Sequence, residues 1–353
     1  MKLLICGDVH WSTYSSIVRR RGDKYSKRLE NLINSVNWVE ETAEKYGCEK
    51  VIYAGDFFDR SDMNAEELTA LQEIIWAPVD HIMLIGNHEG LTNDLSISSS
   101  HVFKLIPNAN VVDKPELMSG FGYRLLLLPY ILEKDRLSSV SSYIKNELAG
   151  YFETQECKIN IAISHNDIKM QYGAFECKTG FDPDDIDNSV NFFFNGHLHN
   201  GCKFSKAGYN IGNLTGQNFG ENAFEHSHNI IIFDTETQTP TFVENPYAFN
   251  FYKLDIKSIE ELKDILLKIK PNAILTVKCP ESIVSEARSI LQLETKVKES
   301  KVISIISRKD SNELKDSVEE LNCVNHLDAF VTYIKDNMIL SELVLSELSE
   351  VCK

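Results

Sequence analysis

The chain has 353 residues, 43% of them hydrophobic, which is enough for one large domain and a smaller one. It carries 52 acidic and 36 basic residues, a net charge of −16, so it should repel nucleic acid unless cations or local basic groups reverse the field. No apolar stretch approaches the ~20 residues of a membrane span, and the first strand-like run starts at Lys2, which predicts a cytoplasmic protein without membrane anchor or secretion signal. The eight cysteines lack paired spacing and are expected to be reduced thiols.

Up to residue 245, strand-like apolar runs alternate with helical patterns, which predicts an α/β sandwich of two mixed sheets. Strands are expected over residues 2–6, 51–54, 81–85, 111–112, 124–128, 159–163 and 192–194. Helices are expected over 29–46, 65–76 and 137–152. Short pieces at 203–204, 209–211, 229–233 and 241–243 are separated by Gly and Asn and predict antiparallel hairpins.

After Pro246 the pattern becomes strand, helix, strand, helix, strand, which predicts a small α+β domain. Its elements are expected over residues 251–256, 259–269, 273–278, 281–291 and 301–307. A polar linker follows, and two amphipathic helices are expected over 327–338 and 341–351. These helices carry more leucine and valine than a free surface helix needs, which favours a docking role.

Five short polar segments each follow one of the apolar runs. They are Asp8-Val9-His10, Gly55-Asp56-Phe57-Phe58-Asp59, Gly86-Asn87-His88-Glu89, Ser164-His165-Asn166 and Gly196-His197-Leu198-His199. Residues just past the carboxyl ends of strands in an open α/β sheet line a common crevice, so these segments are expected to converge. Each segment alone has an ordinary explanation as a turn, and the five are informative only as a set.

The side chains in these segments suit a pair of divalent cations. Carboxylate, amide oxygen and imidazole together favour ions such as manganese, whereas a structural zinc site favours thiolates, and no motif position is a cysteine. Two ions about 3.5–4 Å apart can activate a water and hold a phosphoryl centre. The segments supply seven ligands for two such ions: Asp8, His10, Asp56, Asn87, His165, His197 and His199.

The set of segments resembles the calcineurin-like metallophosphoesterase superfamily. The resemblance implies that Asp8, His10 and His199 hold one ion, that Asn87, His165 and His197 hold the other, and that Asp56 bridges them. It also implies that His88 is the general acid that protonates the leaving oxygen. Asp59 is expected to accept the outer N–H of a coordinating histidine, which the sequence does not identify.

The regions after the motifs make the chain similar to SbcD-type nuclease subunits of DNA double-strand break repair complexes, including phage recombination endonuclease subunits. Gly212-Asn213-Leu214 and Phe219-Gly220-Glu221 belong to this resemblance. It implies a nuclease domain at 1–245, a capping domain at 246–308, a linker at 309–325 and a partner-docking helical tail at 326–353. It further implies a homodimer that binds DNA and an SbcC-type coiled-coil ATPase, with exonuclease action on duplex ends and endonuclease action on single strands.

Other interpretations stay open. Glu89 and the run from Gly55 to Arg60 also resemble serine/threonine protein phosphatases, which makes a phosphomonoesterase the second candidate. Ser61 and the spacing of His197 and His199 count against it. A scaffold that has lost its chemistry is a third candidate, although such relatives usually lose ligands and none is missing here. The tail could equally pack against its own domain.

A basic segment follows the first metal motif and leads into the first predicted helix. It could hold DNA phosphates beside the crevice, or it could be a solvated helix start, since charge runs are usually soluble surface. The candidate phosphate contacts are Arg19, Arg20, Arg21, Lys24, Lys27 and Arg28.

Overall fold

Strands and helices alternate along the part of the chain that the computed structural model describes, which is residues 1–15, 18, 21–120, 122–148, 159–172 and 175–305. The strands are β1 (Lys2–Cys6), β2 (Lys50–Tyr53), β3 (Asp80–Leu84), β4 (Ala109–Val112), β5 (Glu116–Gly120), β6 (Tyr123–Leu128), β7 (Ile159–Ser164), β8 (Met170–Tyr172), β9 (Phe175–Cys177), β10 (Phe192–Asn195), β11 (Cys202–Lys203), β12 (Gly208–Asn210), β13 (Asn229–Asp234), β14 (Thr239–Glu244), β15 (Asn250–Asp255), β16 (Ala273–Pro280) and β17 (Val297–Ile305). The α-helices are α1 (Lys27–Tyr46), α2 (Ala65–Leu71), α3 (Val140–Leu148), α4 (Pro183–Ser189), α5 (Ile259–Lys268) and α6 (Val284–Leu293). Single 3-10 segments cover Ser99–Leu105, Glu133–Asp135 and Glu281–Ile283.

Two six-stranded sheets form the centre of the molecule, in the orders β14-β13-β1-β2-β3-β4 and β11-β12-β10-β7-β6-β5. Strands β1 to β4 run parallel, and so do β6, β7, β10 and β12, while β13, β14, β5 and β11 add antiparallel partners. The mixed two-sheet α/β sandwich predicted from the sequence is confirmed.

The two sheets pack together because successive side chains of a strand point to opposite faces. Leu3 and Ile5 of β1 belong to one buried cluster with Leu125 of β6 and Ile161 of β7. Leu4, between them, belongs to a second cluster that contains the buried face of α1. The result is a layered sandwich in which helices cover the outer faces of the sheets.

The helix boundaries differ from the predicted ones where side chains cap the backbone. Helix α1 begins at Lys27 because the Ser26 side chain accepts from Leu29 N. Helix α2 ends at Leu71, five residues before the predicted end, because the Asn37 side chain of α1 bonds the backbone of the following turn at Glu73 and Ile75. Helix α3 begins at Val140 rather than 137, and residues 149–152 of that prediction lie outside the described chain.

The third sheet, β15-β16-β17, carries α5 and α6 and has its own buried cluster, which includes Leu262 and Val277. It has the β-α-β-α-β order predicted for the region after Pro246, although β17 begins at Val297, earlier than expected. Residues Met1–Ser304 form one compact unit, so the division at residue 245 stays a prediction. The second unit, Ile305–Lys353, holds the predicted linker and tail, which lie outside the described residues.

Two expectations from composition concern the whole described chain. None of its helices is long and apolar enough to cross a membrane. The cysteines within the described ranges are free thiols, namely Cys6, Cys48, Cys177, Cys202 and Cys279.

Candidate metal centre

The predicted ligands lie in loops that leave the carboxyl ends of five parallel strands. Strands β1, β2 and β3 are neighbours in the first sheet, and β7 and β10 are neighbours in the second. Because the two sheets face each other, loops from both reach one crevice. The ligands that follow these strands in order are Asp8 and His10, Asp56, Asn87, His165, and His197 with His199.

The backbone of these loops is unusual where it carries a ligand. His10, Asp56 and His197 have φ angles of 51°, 48° and 73°, in the left-handed region that non-glycine residues rarely adopt. Such strain persists where the surrounding structure enforces it, and it is frequent at functional sites.

Two glycines allow these loops to approach each other closely. A Cβ atom at Gly86 would lie 2.1 Å from Asp56 Oδ1. A Cβ atom at Gly55 would lie 2.2 Å from His165 Nδ1. Any larger residue at either position would therefore displace a predicted ligand.

The structure brings the first predicted ligand set together. One ligand atom each from Asp8, His10 and His199 lie within 4.8 Å of one another. Asp8 is fully buried and His10 is 2% exposed. Within the described chain, Asp8 Oδ2 and His10 Nε2 are buried 3.7 Å apart, too far for a hydrogen bond, and neither has another hydrogen-bond partner. Buried polar atoms normally have partners, so these two indicate a site that fits a cation.

The second predicted set also comes together. Ligand atoms of Asp56, His165 and His197 lie within 4.8 Å of one another. The Asn87 Oδ1 atom lies 3.1 Å from His165 Nε2 and 2.9 Å from His197 Nδ1. Asp56 also groups with His10 and His88. Its carboxylate therefore lies near residues of both ligand sets and would be placed to contact both ions.

Oxygen acceptors contact the second ring nitrogen of these histidines and fix the orientation of the rings. His10 Nδ1 lies 3.1 Å from Asp59 Oδ1, so His10 is the histidine that Asp59 contacts. His165 Nδ1 lies 2.7 Å from the carbonyl oxygen of Ala54, which leaves Nε2 facing the cluster. In metal sites, a histidine that donates its outer N–H to an acceptor is held in the tautomer that can bind a metal.

Two further carboxylates also contact the second ring nitrogen of a predicted ligand histidine. Neither was predicted from the sequence to do so. Asp167 Oδ1 lies 3.0 Å from His197 Nε2. Glu221 Oε1 lies 3.0 Å from His199 Nδ1. Asp167 follows His165 by two residues, so its proximity in sequence was the available signal. In the sequence Glu221 belongs to the Phe219-Gly220-Glu221 segment of the family resemblance, and nothing there links it to His199.

The site has an excess of negative charge. Burial disfavours the imidazolium of His10, but contacts with Asp59 and Asp8 outweigh burial and raise the pKa to about 10. Burial also opposes the charge on His165, yet Asp56 and Asp8 raise its pKa to about 9. Carboxylates that hold protons on neighbouring imidazoles can hold divalent cations in place of those protons.

His88 lies at the open side of the cluster. It is exposed, and its ring packs edge-on to that of His10 at a centroid distance of 4.9 Å. Its Nδ1 lies 3.0 Å from the carbonyl oxygen of Asp59, and its backbone N–H donates to Asp56 Oδ1 at 2.9 Å. The Nε2 atom is therefore the one available to exchange a proton with a substrate.

Glu89, which follows His88, joins two of the motifs. Its carboxylate is fully buried and accepts from the backbone N–H of Phe58 at 3.0 Å and of Gly86 at 2.7 Å. Ser100 Oγ donates to it at 2.6 Å. Burial and then the charge of Asp56 raise the pKa of Glu89 to about 7. This carboxylate therefore positions the two loops and does not face the ligand cluster.

The sequence profile of the calcineurin-like phosphoesterase family matches residues 1–201, a stretch that includes the seven predicted ligands and His88. The chain belongs to the calcineurin-like phosphoesterase family. Members of the family depend on two metal ions, and the two ligand sets of this chain fit that requirement, so it is a metal-dependent phosphoester hydrolase. No curated protein matches the chain.

In this calcineurin-like phosphoesterase, several residues of the basic segment between Arg19 and Arg28 already have partners or are buried, and are not free to bind DNA. Arg21 forms a 2.7 Å ion pair with Glu66, and Lys24 pairs with Glu73. Lys27 is the first residue of α1 and is partly buried. Arg28 is buried, while Arg19 and Arg20 lie outside the described residues. Their contacts with DNA stay a prediction.

Proposed function

We propose that this phosphoesterase is a DNA nuclease that cuts phosphodiesters with two manganese ions, as an exonuclease on duplex ends and an endonuclease on single strands. The observation that carries the proposal is the contact between Glu221 and His199. Glu221 lies beyond the matched stretch, in the Phe219-Gly220-Glu221 segment that is similar to SbcD-type nucleases. Its position against a metal ligand supports a nuclease-like metal centre.

The roles of the residues follow from their contacts. When bound by the two ligand sets, divalent cations would lower the pKa of a water and neutralise charge on phosphoryl oxygens. His88 stands ready to give the leaving oxygen a proton from Nε2, because Nδ1 is engaged by the Asp59 carbonyl. The hydrogen bond from the His88 backbone N–H to Asp56 Oδ1 holds this loop against the carboxylate that would bridge the two ions. These two hydrogen bonds therefore fix the orientation of His88 relative to the predicted ligands.

The surroundings of Arg60 favour a diesterase over a phosphomonoesterase. Arg60 ends the run that resembles serine/threonine protein phosphatases, and to bind the dianion of a phosphomonoester its guanidinium would have to be free of other partners. Arg60 Nη2 instead donates to both carboxylate oxygens of buried Glu67, at 2.9 and 2.7 Å, and Arg60 Nε donates to the carbonyl oxygen of Asp62 at 2.9 Å. Its charge is neutralised inside the fold.

A substrate panel tests the proposal. Linear duplex DNA, a single-stranded circle and p-nitrophenyl phosphate are incubated in parallel with the protein and Mn²⁺. We expect both DNA substrates to be cut, and Asp56→Asn to lose this activity. Asp234→Asn is the matched control, because Asp234 pairs with Lys2 at the opposite end of β1 from Asp8. Rapid hydrolysis of the monoester alone would identify a phosphatase, and Mn²⁺-independent binding without hydrolysis would identify a scaffold.

We further propose that the protein acts in recombination or double-strand break repair as the nuclease subunit of a complex with an SbcC-type coiled-coil ATPase, and that it is a homodimer. The support is the order of regions, a phosphoesterase domain followed by a small α+β region, a linker and helices at 326–353. Deleting the residues after Asn325 is expected to abolish co-purification with such an ATPase while Mn²⁺-dependent hydrolysis of a small phosphodiester continues. Unchanged co-purification would contradict docking through the tail.

A further inference from the structure

A cleft of about 200 Å³ opens beside the first ligand set. His10 and Asp59 line it, and so do Arg28 and Gln217. Tyr14, which is 68% exposed, also lines this cleft. The cleft therefore joins the metal ligands to groups that the proposed chemistry does not use.

Arg28 is a buried cation with few partners. It is 4% exposed, and burial lowers its pKa to about 10, so it still carries its charge at neutral pH. Among the described residues its one hydrogen bond runs from Nη1 to the carbonyl oxygen of Gly216, at 2.9 Å. A guanidinium has five N–H donors, so most of its donors remain available.

The nearest acids are already engaged by other groups. Asp59 contacts His10 Nδ1 at 3.1 Å. Glu221 contacts His199 Nδ1 at 3.0 Å and accepts from the backbone N–H of Gln217 at 2.8 Å. Within the described chain neither forms an ion pair with Arg28. Glu221 and Asp59 still attract the charge of Arg28 through space and oppose the effect of burial on its pKa. Neither fills its remaining N–H donors, which the oxygens of an anionic ligand would do.

Gln217 provides a second donor at the same place. Its Nε2 atom is buried and has no hydrogen-bond partner among the described residues. Its backbone N–H donates to Glu221 Oε2 at 2.8 Å, which fixes the position of its main chain beside the cleft. An unpartnered amide and an unpaired guanidinium in one cleft together suit the oxygens of a phosphate group.

We infer that Arg28 and Gln217 bind a second, non-scissile phosphate of the substrate, next to the phosphate at the metal centre. The inference rests on the proposed nuclease function and makes it more specific. In it, Arg28 and Gln217 give the protein its preference for substrates with at least two phosphates. Tyr14 offers an exposed ring on which the intervening base can stack.

The test measures binding and does not depend on turnover. Calorimetry with the full-length protein in Mn²⁺ compares thymidine 3′,5′-bisphosphate with thymidine 5′-monophosphate. The wild-type protein should bind the bisphosphate about 10- to 100-fold more tightly, as expected for hydrogen bonds to a charged group. Arg28→Met should bring this ratio close to one, and Gln217→Ala should reduce it about fivefold.

Two further variants serve as controls for this binding test. Lys45→Met removes the same charge from the exposed last turn of α1 and should keep the wild-type ratio. Arg28→Lys retains the charge and should keep part of the preference for the bisphosphate. If Arg28→Met fails to fold, Arg28→Lys and Gln217→Ala together provide the test. An unchanged ratio in the Arg28 and Gln217 variants, or equal loss of both ligands, would overturn the subsite.

Failure of the subsite and failure of the nuclease proposal give different results. A wild-type protein that prefers the bisphosphate but does not cut DNA would refute the nuclease proposal alone. A protein that cuts DNA but binds both nucleotides equally would refute the subsite alone.

Discussion

Gly86→Ala tests whether the loop packing sets the position of the predicted bridging carboxylate. The new Cβ would lie 2.1 Å from Asp56 Oδ1 and 2.4 Å from Asp56 N, whereas ordinary contacts begin at 3.4 Å. Because both the carboxylate oxygen and the backbone nitrogen are too close, the Asp56 backbone must shift together with its side chain, and reaching 3.4 Å requires the oxygen to move by 1.3 Å. A misplacement of about 1 Å in a catalytic site costs about 100-fold in rate. We expect kcat/KM for bis-p-nitrophenyl phosphate in Mn²⁺ to fall by about that factor.

The matched control for this variant is Gly47→Ala. Gly47 has a φ of 64° at the end of α1, and a Cβ there would meet nothing within 4 Å. Its replacement should reduce the free energy of unfolding by about 1–2 kcal/mol through backbone strain alone and leave the rate unchanged. Urea unfolding of both variants separates lost stability from lost geometry. A Gly86→Ala enzyme with kcat/KM within threefold of wild type would refute the reasoning.

Three other predictions follow from the contacts of single side chains. His88→Ala should keep both metal sites but lose about 100- to 1,000-fold in kcat for DNA cleavage, because the proton donor is gone. Glu221→Gln should weaken Mn²⁺ binding about 10- to 100-fold in calorimetry, because its histidine loses a charged acceptor. Burial lowers the pKa of His228, so the folded protein resists its protonation and loses stability as the pH falls below about 6.5. His228→Asn should reduce the stability loss between pH 7.5 and 5.5 by up to about 1.4 kcal/mol.

Each of these predictions has an outcome that contradicts it. DNA cleavage at the wild-type rate by His88→Ala would exclude His88 as the acid, and His226→Ala, a half-buried histidine outside the ligand sets, controls for loss of an imidazole. Wild-type Mn²⁺ affinity in Glu221→Gln would show that its contact does not tune the metal site. Equal pH dependence of unfolding in His228→Asn and wild type would show that His228 becomes protonated in the folded state.

The ligand positions could be predicted because each depends on a short-range rule. A buried strand ends, the next residues turn, and a polar side chain lies at the carboxyl edge of the sheet, as with Asp8 after β1 and His165 after β7. The two-sheet sandwich follows from the same runs, since each strand is short and apolar. An edge strand such as β5 was missed because its side chains are partly exposed and show little hydrophobic pattern.

Contacts between distant segments could not be predicted in this way. In the sequence Glu89 is a point of resemblance to serine/threonine protein phosphatases, whereas in the structure it is a buried acceptor for the backbone of Phe58, 31 residues earlier. Glu221 reaches His199 because the chain turns back after β12, and no spacing rule marks that turn. The early end of α2 likewise depends on a side chain of α1.

In the basic segment, tertiary contacts decide which positive charges are available to bind an anion. In the sequence Arg21 and Lys24 could hold phosphates, but in the fold Glu66 and Glu73 neutralise them. Arg28, from the same run, has no such partner among the described residues and faces the cleft beside the ligands. In a chain with a net charge of −16, the metal centre and the Arg28 guanidinium are two places in the described part of the chain that would favour a polyanion. Affinity for DNA should therefore depend strongly on divalent cations, and capture of long DNA should require a partner that supplies the missing positive surface.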